Sequence, residues 1–216
     1  MNNRHGNLIT TSLLKRVATG FVIAAVAIFL FFACPPYVLS AALITILVWI
    51  LWREWPRFKA PLLTPLYPVV PFVYMIALNQ SDERALLAYV AVIAACYDSG
   101  AYAIGKMFGT HKLCPTISPH KTVEGFVGGI IGALIIGYMF NPLLSATTIL
   151  RLAFTLALAI GAAGGDLFES LLKRRSQLKD AGSLLPGHGG FMDRFDSLLL
   201  IVPVVYLFKN MLIGLL

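Results

Sequence analysis

Charge is scarce in this chain: among 216 residues there are 10 Asp and Glu and 17 Lys and Arg, only 12% of the total. A soluble domain carries about twice that fraction, so the solvated surface of an ordinary globular protein is excluded. Cysteine is also sparse. Cys34, Cys96 and Cys114 are odd in number, scattered and without CxxC spacing, which rules against a disulfide framework or a zinc site and leaves them as apolar filler. No internal repeat or low-complexity tract is present, so a solenoid is excluded. The formal net charge of +7 could point to nucleic acid. In so apolar a chain, basic residues instead report membrane orientation and attraction to anionic headgroups, and no nucleic-acid partner is expected.

What the chain has in abundance is apolar sequence: 58% of residues are hydrophobic and the mean hydropathy is +0.81. Its apolar runs are near the ~20 residues that cross a bilayer as a helix, which predicts an all-α polytopic membrane protein with about seven transmembrane helices. The predicted spans are 17–33, 38–51, 62–78, 85–105, 123–140, 152–168 and 197–213. Residues 1–61 read as an N-terminal pair of helices and 62–216 as the larger remainder of one continuous membrane unit. Cys34-Pro35-Pro36 is a poor cleavage site, so the first run is read as a retained span. Pro65, Pro68 and Pro71 should break or kink the third span near its start. Small residues at four-residue spacing, Gly125, Gly129 and Ala133, then Gly128 and Gly132, then Gly161 and Gly165, favour close helix packing.

With a cytosolic N-terminus, the inside segments hold Arg4, Lys15 and Arg16, then Arg53, Arg57 and Lys59, then Lys106, Lys112 and Lys121, then Lys173, Arg174, Arg175, Lys179 and Arg194. Only Arg84, Arg151 and Lys209 remain outside. That bias supports the span count and the orientation together.

Two acids fall within or at the ends of apolar runs, Asp98 and Asp166, and an intramembrane carboxylate marks a candidate site. Asp98 either supports the fold through a hydrogen bond to a neighbouring helix or serves that site. Asp166, Glu169, Ser170 and Lys173 stand at i, i+3, i+4 and i+7, so a helix presents them on one face. Asp193, Asp196 and Ser197 repeat the pattern where the last span begins. Hard carboxylate oxygens from two helices suit Mg²⁺, whose shell is completed by water and substrate phosphate. Between the two acidic faces lie Lys173, Arg174, Arg175 and Lys179, then Pro186-Gly187-His188-Gly189-Gly190. Lys, Arg and a glycine turn all bind phosphate. A second loop, 105–122, brings Lys106, His111, Lys112, Ser118, His120 and Lys121 to the same membrane face. The residues therefore predict a phosphate-bearing substrate.

Ser170-Leu-Leu-Lys-Arg, Lys179-Asp-Ala-Gly and Leu185-Pro-Gly-His-Gly-Gly-Phe-Met-Asp-Arg-Phe-Asp196 together resemble the signature of the phosphatidate cytidylyltransferases, or CDP-diacylglycerol synthases. Asp98-Ser-Gly-Ala-Tyr102, Lys121-Thr122, Glu124-Gly-Phe126 and Gly165-Asp-Leu-Phe-Glu-Ser170 extend the likeness over 98–197. The resemblance implies transfer of the cytidylyl group of CTP to phosphatidic acid, giving CDP-diacylglycerol and pyrophosphate, in the inner (cytoplasmic) membrane with the site facing the cytosol. It implies Mg²⁺ held by Asp166 and Asp193, a second monovalent cation such as K⁺ in some members, and Asp196 as a supporting carboxylate. Lys173, Arg174, Lys179 and His188 are the implied phosphate contacts, with Ser118, Lys121 and Asp98 as further substrate-side candidates.

The chain looks shorter at its N-terminus than typical members, which bears on a lipid cavity or on a homodimer built from those helices. His120 stands where the family often has Lys, and Val123 where it often has Trp. An ion transporter would share the intramembrane acids but has no need of the basic glycine-turn loop. A CTP-using enzyme with another lipid acceptor, or a lipid kinase, is the nearer alternative.

Overall fold

The computed structural model describes residues 19–139, 147–184 and 189–215, with side chains described as far as 210. Its helices are α1 (Thr19–Phe32), α2 (Pro36–Trp49), α3 (Val70–Gln80), α4 (Arg84–Phe108), α5 (Val123–Met139), α6 (Thr148–Arg175) and α7 (Met192–Leu215). Among the described residues, four continuous helical stretches, Pro36–Phe58, Pro61–Gln80, Arg84–Phe108 and Thr148–Arg175, are long and apolar enough to cross a membrane. Phe21, Phe29, Val48, Ile131, Ile135, Ile160, Val204 and Leu207 are exposed on the outside of the bundle. So wide an apolar surface is stable only against lipid, and the protein is membrane-integral.

Proline sets the irregular parts. After α2 the helical path continues as a π turn over Ile50–Glu54 and a 3-10 turn over Trp55–Phe58, ending at Lys59 in the left-handed region (φ 50°). Pro56 has no N–H to donate back, so the regular ladder cannot run through it. The expected break at the start of the third span is found: Pro61–Leu63 forms a 3-10 turn and Pro65–Val69 a π turn before α3 begins. Trp55 Nε1 donates to Thr64 Oγ1 at 2.7 Å and holds this corner together.

The all-α expectation meets one exception. Residues 110–122 fold as an antiparallel hairpin, β1 (Lys112–Cys114) against β2 (Ser118–Thr122), paired Lys112 with Thr122 and Cys114 with Ser118. A polar connection this long must satisfy its backbone groups, and pairing with itself does so. Thr110 Oγ1 and the His111 backbone N–H both donate to Glu124, at 2.6 and 3.1 Å, fastening the hairpin to the first turn of α5.

The glycine positions mark where helices meet most closely. Gly105 faces Gly125, and Gly100 faces Gly128 and Gly129, so α4 and α5 run antiparallel with almost no side chain between them. Gly161 and Gly165 do the same for α6 against Ile201 and Ser197 of α7. The core behind these contacts is apolar, with Phe72, Met75, Leu78, Val90, Ile93, Leu199 and Val202 buried. At the end of the bundle remote from the hairpin, Arg84 donates to Asn79 Oδ1 at 3.0 Å and to the Phe31 carbonyl at 2.5 Å. Asn79 donates to Ser40 Oγ and the Pro36 carbonyl, at 2.9 and 2.7 Å. Lys209 pairs there with Glu83 at 3.2 Å, and hydrogen bonds from Ser81 and Lys209 hold the Glu83 carboxyl below its ordinary pKa.

A side chain at Gly129 would place its Cβ 2.7 Å from the Tyr97 ring and 2.8 Å from the Tyr97 carbonyl. Gly129→Val should therefore destabilise the protein by about 1–3 kcal/mol, read as a lower melting midpoint in detergent. Gly132→Ala is the matched control, because its Cβ would have no neighbour nearer than 3.5 Å and should melt like wild type.

Candidate active site

At one end of the bundle, α4, the hairpin, α6, the α6–α7 connection and α7 enclose a cavity of about 900 Å³. Its wall carries five carboxylates, Asp98, Asp166, Asp180, Asp193 and Asp196, and five cations, Lys106, Lys121, Lys173, Lys179 and Arg194. Ser118, His120, Tyr97, Tyr102 and Gly189 complete much of the lining. This is a concentration of both charge signs at the end of an apolar bundle, where each unpaired charge would be costly.

Helix α6 runs past the predicted end at 168 to Arg175, carrying Lys173 on the face of Asp166 and Glu169. Lys173 Nζ stands 2.6 Å from Glu169 Oε2 and 2.8 Å from Asp193 Oδ1, so one largely buried ammonium joins α6 to α7. Asp166, on the same helix, turns to a different partner: Lys121 Nζ of β2 lies 2.5 Å from its Oδ2. Helical spacing presents these residues as one group, and the tertiary fold splits it between two neighbours.

Asp193 lies in the first turn of α7 and is nearly saturated with donors. The Ala181 N–H reaches both of its oxygens at 3.2 and 3.0 Å, and the Gly190 N–H reaches Oδ2 at 2.7 Å. The signature loop is thus hung on this carboxylate. Gly189 has φ +77°, and a Cβ there would fall 2.4 Å from Asp193 Oδ2, so glycine is required on both counts. Asp196 accepts the Ser197 N–H at 2.8 Å, and Ser197 Oγ donates to the Ala162 carbonyl at 3.2 Å across the α6–α7 contact.

Of the residues singled out in the sequence, Asp98, Ser118, Lys121, Asp166, Lys173, Lys179, Asp193 and Asp196 all line the one cavity. Arg174 does not line it. Its guanidinium donates to the carbonyls of Ile117, at 3.1 Å, and Leu178, at 3.3 Å, bracing the hairpin against the loop. His188 lies outside the described residues. Tyr97, Tyr102, Asp180 and Arg194 are cavity residues that were not singled out for the site. Neither was Glu54, which reaches the loop from the end of the second span. Its carboxylate accepts the N–H groups of Phe191 and Met192 at 2.9 and 2.8 Å. The available signal was that Glu54 is the only acid among the first 81 residues, yet it stands among Arg53, Arg57 and Lys59.

The donor chemistry fits Mg²⁺. The acids that line the cavity offer hard oxygens, Asp166 among them with its side chain 29% exposed. No three His, Cys, Asp or Glu among the described residues gather at metal-ligand spacing. A Mg²⁺ ion that takes one or two carboxylates and completes its shell with water and phosphate requires no such trio.

Removing the shared ammonium leaves two buried carboxylates facing each other. Lys173→Met should cost about 3–5 kcal/mol, measured as a fall in melting midpoint converted through the unfolding enthalpy. A Lys173→Met variant that melts like wild type would show that this pairing does not hold α6 to α7.

Residues 57–212 match the family described as the cytidylyltransferase family. The phosphatidate cytidylyltransferase of Bacillus subtilis (strain 168) is 45% identical over 148 residues, which cover 67% of this chain and 55% of that protein. That of Staphylococcus haemolyticus (strain JCSC1435) is 40% identical over 146 residues, covering 67% and 56%. That of Staphylococcus aureus (strain COL) is 41% identical over 129 residues, covering 59% and 50%. The chain spans about half the length of these curated relatives. The family match runs through every element that walls the cavity, from α4 to α7, and the chain belongs to the cytidylyltransferase family.

Proposed function

We propose that the protein transfers the cytidylyl group of CTP to phosphatidic acid, releasing pyrophosphate and forming CDP-diacylglycerol for phospholipid synthesis. The observation that carries this reading is the cavity: five carboxylates and five Lys or Arg gathered at the end of a lipid-facing bundle, in a chain of this family. One substrate is anchored in the bilayer and the other dissolves in water, so the reaction needs a polar site at the interface. The basic residues favour seven spans with the N-terminus and the cavity on the cytosolic side of the inner membrane.

The transfer is a substitution at phosphorus. A phosphate oxygen of phosphatidic acid forms the new P–O bond to the α-phosphorus of CTP, and the bond to the departing pyrophosphate breaks. The attacking phosphate is largely ionised near neutral pH, so the side chains need not supply a nucleophile or a dedicated base; their work is positioning and charge compensation. Lys106, Lys179 and Arg194, which line the cavity, are the proposed contacts for nucleotide phosphates, with Lys121 and Ser118 from the hairpin. The Glu169–Lys173–Asp193 bridge fixes the α7 end against α6, which keeps the loop and the Asp166 face in register. Asp166 and Asp193 are the proposed residues for Mg²⁺; Asp193, whose oxygens already accept from Lys173, Ala181 and Gly190, would share its carboxylate between the ion and these donors, with Asp98 and Asp196 as further oxygens for a second, monovalent cation. When bound, Mg²⁺ supplies positive charge against the phosphate oxygens of a cavity whose own charges nearly cancel.

Purified protein given CTP, phosphatidic acid vesicles and Mg²⁺ should place the cytidine and α-phosphate label of CTP in the lipid, with one pyrophosphate released per lipid. Chelation with EDTA should stop turnover and added Mg²⁺ should restore it. Asp166→Asn is a cleaner probe than Asp193→Asn, because Asp193 also holds the loop through the Ala181 and Gly190 amides. Asp166→Asn should lower turnover at least about 100-fold with little change in melting. Label from the γ-phosphate in the lipid would instead make the protein a kinase, and no CTP-dependent product would end the reading.

A further inference from the structure

Glu54 is 2% exposed and lies three residues ahead of the segment matched by the family. Its two oxygens are divided between two successive amides: Oε1 accepts the Phe191 N–H and Oε2 the Met192 N–H, at 2.9 and 2.8 Å. Those amides open α7, so the carboxylate stands where the helix leaves N–H groups unpaired and where its dipole favours an anion. The adjoining backbone is shaped around the same group. A Cβ at Gly190 would lie 2.6–2.7 Å from the Glu54 carboxylate, and one at Gly182 would lie 2.9 Å from it. Two further contacts join the same corner to the same loop: Arg57 donates to the Ala181 carbonyl at 2.6 Å, and Ser176 Oγ donates to the Phe58 carbonyl.

The loop so held is a wall of the cavity, through Lys179, Asp180, Gly182, Ser183 and Gly189. Asp193 grips it from within the site through Ala181 and Gly190. Glu54 grips the next two residues from outside it. We infer that Glu54 is a positioning residue for the nucleotide: it fixes the signature loop and the first turn of α7, and so the approach of CTP phosphates, without touching substrate. The inference rests on the reading of the cavity as the CTP site. A purely architectural role would lower stability and the fraction of active protein. A positioning role moves the kinetics for CTP and leaves those for the lipid alone.

Glu54→Gln keeps the shape but turns an N–H₂ toward one of the two amide donors. In purified wild type and variant, kcat and KM are measured separately for CTP and phosphatidic acid, well below the melting midpoint. The expectation is a fall in kcat/KM for CTP of at least about tenfold, with KM for phosphatidic acid within about twofold of wild type. Glu54→Asp, which keeps the carboxylate but shortens its reach to the two amides, should show the same pattern and decides the matter if Glu54→Gln does not fold. Wild-type kcat/KM for CTP in a folded variant, or a loss confined to kcat and active fraction with KM for CTP unchanged, would overturn the inference. If wild type itself makes no CDP-diacylglycerol, it is the underlying reading that fails.

Discussion

The Lys173 ammonium, set between Glu169 of its own helix and Asp193 of the next, is the interaction on which the polar end of this bundle depends. Glu169 is fully buried and Asp193 nearly so, and an unpaired buried charge is costly, so each has the ammonium at hydrogen-bond distance. Because Asp193 also receives the Ala181 and Gly190 amides, the same ammonium indirectly anchors the loop. Helix register, loop conformation and cavity wall are therefore one electrostatic unit. A change in any member must be accommodated by the others.

That unit sits at one end of the apolar bundle, and its charges largely pair with one another within the protein. Lys121 lies on Asp166 and Lys173 serves two acids, so much of the positive charge is already committed. A triphosphate entering such a cavity must exchange partners with these groups or bring its own cation. On the proposed function, a balanced wall rather than a simple basic patch would suit a nucleotide that brings its own cation.

Much of this was legible in the residues themselves. Apolar run length placed the helices, Pro65, Pro68 and Pro71 marked the broken third span, and the small residues marked the α4–α5 and α6–α7 contacts. The acids and bases that line the cavity follow from helical spacing and from the basic loop between them. What spacing could not assign was partners. Asp166, Glu169 and Lys173 share a face, yet that face meets β2 at one level and α7 at another, so Asp166 and Lys173 part company. The hairpin gave no strand signal, since Ser118-Pro-His-Lys-Thr122 has little of the apolar alternation or β-branched content that marks one. Glu54 was hidden for a different reason: its partners lie 137 and 138 residues away, and no local pattern encodes a contact of that range.

The difference between predicted and observed helix ends has a physical reason that bears on the chemistry. Hydropathy locates the residues that prefer lipid, whereas a helix continues for as long as its backbone hydrogen bonds and side-chain contacts support it. Helix α6 was expected to stop at 168 and continues to Arg175; the path from α2 was expected to stop at 51 and continues to Phe58. Both extensions carry the charged residues that matter, Lys173 on one and Glu54 on the other. Groups held on a helical extension keep their direction far better than groups on a free loop, and here two such extensions clamp the loop between them. The charge lies at the ends of the apolar runs, and the helices continue past those runs to hold it still.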